Sequence, residues 1–290
     1  MDHHITVGLD GSLESTAAAR WAAREAELRG VELRITHAEE WLSPLGVAPA
    51  ASEIRREWAE ALLSESADAL RRDHPRLGIT KQSVDGPPAP SLVTAASTAD
   101  MLVLGSRALG TVAGFVLGSV GMAVLQATEQ PVVLVRRSGD ALPNPDGEQP
   151  GGLVVGVDIG VPCDDLLAFA FAEASCRSCR LHVLHVCQPP PLFGYGGAYD
   201  PGVYAEVKER ATTNLLDTVK PWRDKFPTVE VAVRTPVAHA AHTLVGAGAE
   251  ADLIVVGRRI RPSPRGPHIG STTHAVIHHA TAPVAVVAHD

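Results

Sequence analysis

Gly105 and Gly118 stand thirteen residues apart, and so do Gly257 and Gly270; each second glycine is followed by serine. In VLGSRALGTVAGFVLGSVG, residues 103 to 121, an apolar run ends at Gly105 and a glycine-rich loop leads to Gly118-Ser119. A loop with so little side-chain bulk lets a ligand approach the backbone, and a Gly-Ser at a helix start turns unpaired N–H groups and a hydroxyl outward. That is the chemistry of a phosphate cradle. Glycines that only permit tight strand-to-helix turns would explain Gly105 and Gly257, but not a long loop ending in Gly-Ser twice. Candidate phosphate-side residues are therefore Gly105, Ser106, Arg107, Ala108, Gly118, Ser119 and Val120 in the first half. In the second half they are Gly257, Arg258, Arg259, Gly270, Ser271 and Thr272. Arg107 and Arg258-Arg259 are the cations close to the two Gly-Ser pairs.

Known phosphate fingerprints are absent. GxxxxGK[ST] does not occur and no lysine adjoins either Gly-Ser, so this is not a P-loop. After the first apolar run the turn reads GLDGSLES, with an acid where a dinucleotide pyrophosphate would have to approach, which argues against NAD. The acid is Asp10, repeated as Asp158. An Asp there accepts hydrogen bonds from a ribose hydroxyl or an adenine amino group, helps hold a divalent cation, or caps the next helix. His274 and His278 lie four apart on the helix that Gly270-Ser271 opens, a spacing able to hold a metal. With no Glu or Cys beside them, a surface role is the favoured reading, and no metal ligand is assigned. His268 is placed to face a phosphate. The Cys176-Arg-Ser-Cys179 pair ends a helical pattern instead of opening one after a strand, so the thiols read as structural.

The elements that must position these residues occur twice. ITVGLDGS at 5 to 12 recurs as LVVGVDIG at 153 to 160, ADMLVLGSR at 99 to 107 as ADLIVVGRR at 251 to 259, and QPVVLVR as APVAVVA. Between the halves SGDALPNPDGEQPGG has no apolar periodicity and reads as a linker, which gives domains at 1–137 and 152–290 joined by 138–151. In the first half, strands at ITVGLD, VELRITHA, LGITKQSV, ADMLVLG and PVVLVR alternate with helices at 13–29, 53–72, 90–98 and 118–127. Such alternation implies an open parallel sheet covered on both faces, with the ligand beyond the carboxyl ends of the strands. A formal charge of −8 among 290 residues argues against a nucleic-acid footprint, and the apolar runs are too short to span a bilayer. His3 already begins a strand pattern, leaving no room for a signal core, so a cytoplasmic protein is expected.

VGLDGS, ADMLVLGSR, LGSVG and PVVLVR together resemble the universal stress protein family in its tandem two-domain form. The resemblance implies two five-stranded parallel α/β sheets of order 3-2-1-4-5, Rossmann-like and akin to the adenine nucleotide alpha hydrolases. ATP-binding members carry G-x2-G-x9-G-[ST] after the fourth strand. Gly105, Gly118 and Ser119 match it, with Ala108 at the middle glycine; Gly257, Gly270 and Ser271 match it, with the β-branched Ile260 there. A methyl at that position is tolerated where φ is negative and strained where it is positive. Asp10 and Asp158 match the family's strand-one Asp, Gly8 and Gly156 lie beneath the nucleotide, and Ala38 and Val186 hold positions whose backbone contacts adenine. The implied ligand is ATP, ordinarily accompanied by Mg²⁺. The implied role is a nucleotide-dependent stress or dormancy regulator that switches conformation or an unidentified protein partner. A slow ATPase, an adenylyl-transfer enzyme and a nucleotide-free scaffold are the alternatives. Family domains pair through their last strand, which implies a pseudo-dimer of the halves and a homodimer of chains.

Overall fold

A computed structural model describes residues 3–39, 49–108, 115–137, 151–187, 201–260 and 269–290. The chain divides into two compact units, Met1–Arg137 and Ser138–Asp290. In the first, β1 (His4–Gly8), α1 (Leu13–Arg29), β2 (Glu32–Glu39), α2 (Pro49–Asp73), β3 (Ile79–Asp85) and α3 (Pro88–Ala96) alternate. They are followed by β4 (Met101–Ala108), β5 (Phe115–Val116), α4 (Ser119–Ala127) and β6 (Val132–Arg136). The sheet runs β3-β2-β1-β4-β6, all parallel. This is the expected 3-2-1-4-5 order once the two-residue β5 is set aside. That ribbon pairs antiparallel with the end of β4, Arg107 opposite Val116 and Ala108 opposite Phe115, and it departs from the purely parallel expectation.

The second unit repeats the plan with β7 (Leu153–Gly156), α5 (Asp164–Arg177), β8 (Leu181–Leu184), α6 (Pro201–Lys225) and β9 (Val231–Arg234). Next come α7 (Ala240–Ala247), β10 (Leu253–Arg259), α8 (Ser271–His279) and β11 (Val284–His289). Its parallel order is β9-β8-β7-β10-β11. Leu102, Val103 and Leu104 on β4, and Leu253, Ile254 and Val255 on β10, are buried in succession, as strands covered on both faces require. Among the described residues no helix is long and apolar enough to cross a membrane.

The first helix of each unit shows how composition sets packing distance. Helix α1 buries Ala18, Ala19, Ala22, Ala23 and Ala26, small side chains that let its axis lie close to the strands. Ser12 caps its start, and Gly30, at φ 65°, ends it in the left-handed conformation that a side chain would strain. Helix α5 instead buries Leu166, Leu167 and Phe171, and the Phe171 ring packs on Trp222 and Phe226 of the α6 region. Both helices end on the same ion pair: Glu25 with Arg29 at 2.7 Å and Glu173 with Arg177 at 3.3 Å, each carboxylate buried.

At the repeat offset of 148 residues Leu13 corresponds to Val161, so α5 starts three residues later than α1. The difference shows at the fourth-strand glycines. A Cβ on Gly105 would lie 2.6–2.7 Å from the backbone of Glu14 and Ser15, because the first turn of α1 rests directly on β4. A Cβ on Gly257 would instead strike the His289 ring, with Nε2 at 2.5 Å. Gly105 and Gly257 are thus required by packing within extended strands. Backbone atoms cannot step aside as a side chain can, so Gly105→Ala is expected to destabilise the first unit by roughly 1–3 kcal/mol. Thermal unfolding of the full chain measures it, and a transition unchanged from wild type would refute the close approach.

Candidate functional site

At the carboxyl edge of the first sheet lies a cavity of about 250 Å³ lined from five directions. The ends of β1 and β2 contribute Gly8, Leu9, Asp10, Thr36 and Ala38; α3 contributes Pro88 and Leu92; β4 contributes Leu104 and Gly105; α1 contributes Ser12 and Ser15. Leu117 and the start of α4, Gly118 to Gly121, close it. The two helix starts here differ. At α1, Ser12 Oγ accepts the Ser15 N–H at 3.1 Å, so that end is satisfied internally. At α4, Gly118 has no side chain to cap with, and the first turn holds no acid. Its first N–H groups and the positive end of its dipole are therefore available to an anion.

Gly118 has φ −61° and ψ 163°, a conformation open to any residue, and among the described residues a Cβ there would meet no atom within 4 Å. Gly270 repeats both features at φ −59° and ψ 150°. Neither the backbone angles nor the packing of the described residues asks for glycine at these two places. What a side chain would occupy is the space in front of the helix N-terminus.

Asp10 is held as an acceptor: its Oδ1 takes hydrogen bonds from the Ser12 N–H at 3.0 Å and the Ser12 hydroxyl at 2.5 Å. It caps no helix itself, since Ser12 is the N-cap of α1 and Cys163 stands at that position for α5. Asp158 Oδ1 likewise accepts from Gly160 N–H at 3.0 Å, while its Oδ2 faces the Arg259 guanidinium at 3.9 Å. Behind each Asp a histidine pins the loop. His37 Nδ1–H donates to the Leu9 carbonyl at 2.8 Å, and His185, at the same repeat offset, donates to the Val157 carbonyl at 3.0 Å.

The second unit has a larger cavity, about 540 Å³, at the same edge. Gly156, Asp158, Val186, Gly257, Arg259, Gly270 and Thr272 all line it. Val161, Cys163, Leu166 and His289 extend it along α5, on the side where the first unit has α1 packed against its strand. His289 Nδ1 lies 3.0 Å from the Pro162 carbonyl, which fixes the ring beside Gly257. Thr273 Oγ1 donates to the Gly257 carbonyl at 2.7 Å and ties α8 to β10.

The sequence model of the universal stress protein family matches residues 1–136 and again 152–288. The chain belongs to the universal stress protein family. It is 31% identical over 302 residues to a universal stress protein of Mycobacterium tuberculosis, covering 98% of this chain and 96% of the relative. A universal stress protein of Mycolicibacterium smegmatis is 32% identical over 305 residues, at 99% and 97% coverage. The crystal structure of a universal stress protein from Archaeoglobus fulgidus superposes with a TM-score of 0.74 at 21% identity, covering 99% of this chain and 98% of that one, and shares the fold. The protein is accordingly a stress-related protein built of two universal stress protein domains.

Most residues expected at the site from sequence come together: Gly8, Asp10, Ala38, Gly105, Gly118, Ser119 and Val120 share one cavity, and Gly156, Asp158, Val186, Gly257, Arg259, Gly270 and Thr272 the other. Ser106, Arg258 and Ser271 do not. The strands run on past their glycines, to Ala108 and Arg259, so Ser106 pairs with Arg136 and Arg258 with Ala288 inside the sheet, both buried. Ser271 is the first residue of α8 and faces solvent. Among the described residues Ser178 alone combines a side chain with positive φ, so Ala108 sits in β4 without that strain. Ile260 donates its N–H to the His289 carbonyl at 2.7 Å, is 37% exposed and does not line the second cavity. Gly110, Gly114 and His268 lie outside the described residues.

Ser12, Ser15, Thr36, Cys163, His185 and His289 were not expected at these sites; for His37 and His185 the shared repeat offset was the available signal. None of the four cysteines forms a disulfide. Burial, then the charges of Asp164 and Asp158, push the Cys163 thiol from 9.0 up to about 11. A raised thiol pKa stabilises the fold fully below pH 9, and that contribution is lost as pH rises from 9 through about 11. Cys163 is thus expected to resist iodoacetamide at pH 8 in the folded chain and to react after unfolding. Mass-spectrometric mapping reads this, and rapid labelling of native Cys163 would contradict it.

Proposed function

We propose that this universal stress protein binds ATP at the carboxyl edge of its first sheet and acts as a nucleotide-dependent regulator of the stress response. The observation that carries the reading is Gly118: a glycine that neither its backbone angles nor the packing of the described residues requires, at an uncapped helix start facing a cavity. Phosphates take the N–H groups of Ser119, Val120 and Gly121, with the Ser119 hydroxyl beside them. Asp10, fixed by Ser12, accepts from the ribose, while Pro88, Leu92 and the end of β2 at Ala38 offer an apolar wall for the base. Each described cavity lining holds a single carboxylate, Asp10 or Asp158, so Mg²⁺ arrives hydrated with the phosphates and not in a protein cage.

The second unit carries the same uncapped glycine at Gly270, and Ile260 stands clear of the lining. It offers a second nucleotide site of larger and more polar shape, with Arg259 available to phosphate once drawn from Asp158.

Protein purified without added nucleotide, denatured and assayed for released adenine nucleotide, then titrated calorimetrically, tests both sites. Gly118→Glu sets a negative charge where phosphate is expected and should weaken the first site about 100-fold or more. Gly270→Glu should do so only to the second. Absence of bound nucleotide together with absence of binding on titration would overturn the proposal.

A further inference from the structure

The second unit carries a pair of imidazoles that neither cavity uses. On α8 the His274 and His278 rings lie one helical turn apart, their centroids 4.3 Å from each other and their planes inclined by 42°. The buried face of α8 is made by Thr273, Val276 and Ile277, which fixes the rotation of the helix about its axis. His274 is exposed and His278 half-buried, so the ring pair borders solvent. The second cavity is reached from a different part of the helix, through Thr272 and Thr273.

Two imidazoles at i and i+4 are spaced to act as a bidentate nitrogen donor set: the backbone holds both ligands on one face, so the second coordination bond costs little additional ordering. Neutral imidazole is a ligand for the later first-row divalent ions and competes poorly for Mg²⁺ or Ca²⁺, which prefer oxygen. Partial desolvation, then the neighbouring His278 and His279, lowers the pKa of His274. Among the described residues no third His, Cys, Asp or Glu joins the pair.

We infer that His274 and His278 together chelate one divalent transition-metal ion, of the copper, nickel or zinc class, on the surface of α8. Bound there, the ion links consecutive turns of the helix whose first turn supplies Thr272 and Thr273 to the second cavity. The inference is independent of nucleotide binding.

The test uses the full, untagged chain carrying His3→Gln, which removes one competing histidine near the amino terminus. Cu²⁺ is titrated with electron paramagnetic resonance and calorimetric readouts, against His274→Gln, His278→Gln and the double variant. The expected result is one ion fewer per chain in the double variant, with the same loss in each single variant and unchanged circular dichroism. His279→Gln should leave the count as it was. Equal stoichiometry in parent and double variant would overturn the site. Retention of the ion by either single variant at parent affinity would overturn chelation, since the rings would then act separately.

Discussion

The parallel pairing of β1 with β4 is the constraint on which the first unit depends. With Ile5 opposite Met101 and Val7 opposite Val103, both strands end at the same edge, and every residue after them is delivered there. Gly8 owes its missing side chain to this proximity, because a Cβ would come within 2.8 Å of Leu104 and 3.3 Å of Leu92. Gly105, one residue beyond Leu104, takes the first turn of α1 on the opposite face. The strand ends are therefore clamped between two helical layers. Asp10 and the start of α4 meet across the gap where the chain leaves β1 and β4 in opposite directions, toward β2 and toward β6.

The second unit keeps that pairing, Leu153 opposite Leu253 and Val155 opposite Val255, but not the clamp. Because α5 begins three residues late in the repeat, no helical backbone reaches Gly257, and the His289 ring comes to rest there instead. A packing contact between backbone atoms has been replaced by a side chain with hydrogen-bonding nitrogens, and the cavity has grown along α5 to include Val161 and Leu166. Duplication preserved the frame, while a small shift in one helix start changed the chemistry of the pocket. The strand-one Asp is the clearest case: Asp10 is occupied by its own loop, whereas Asp158 shares its charge with Arg259.

The strand order, the two-unit division and most of the cavity lining were legible in the sequence, because all three follow from features with a fixed period or offset. Alternating strands and helices prescribe a parallel sheet, and strand ends prescribe an edge. What was not legible depended on where a strand stops. ADMLVLG reads as ending at its glycine, yet β4 continues to Ala108, since β6 lies alongside and β5 folds back on it. Ser106 and Arg258 were thereby carried into the sheet. The glycines posed the reverse difficulty. Gly105 and Gly118 look alike in a motif, but one answers to helix packing and the other to no contact among the described residues, a distinction that only the three-dimensional neighbours of each Cα can make.

The loop carrying Asp10 is also framed from behind in a way its counterpart is not. Gly11 adopts φ +80° and presses beneath the Trp58 ring, where a Cβ would stand 3.1 Å from the indole. Trp58 meets His37 edge-on at 5.4 Å, and His37 holds the Leu9 carbonyl. Three contacts from two elements thus fix the turn before any ligand arrives. In the second unit Ile159 takes the position of Gly11, and the one tryptophan of that half, Trp222, is spent on Phe171. The His185 tether remains, joined there by the Arg259 guanidinium facing Asp158 and by His289 at the Pro162 carbonyl. Ordering a loop in advance removes part of the entropic cost of binding. On that ground the turn at Asp10, with its acceptor set by Ser12 and its backbone held by His37, is preorganised by contacts within the first unit.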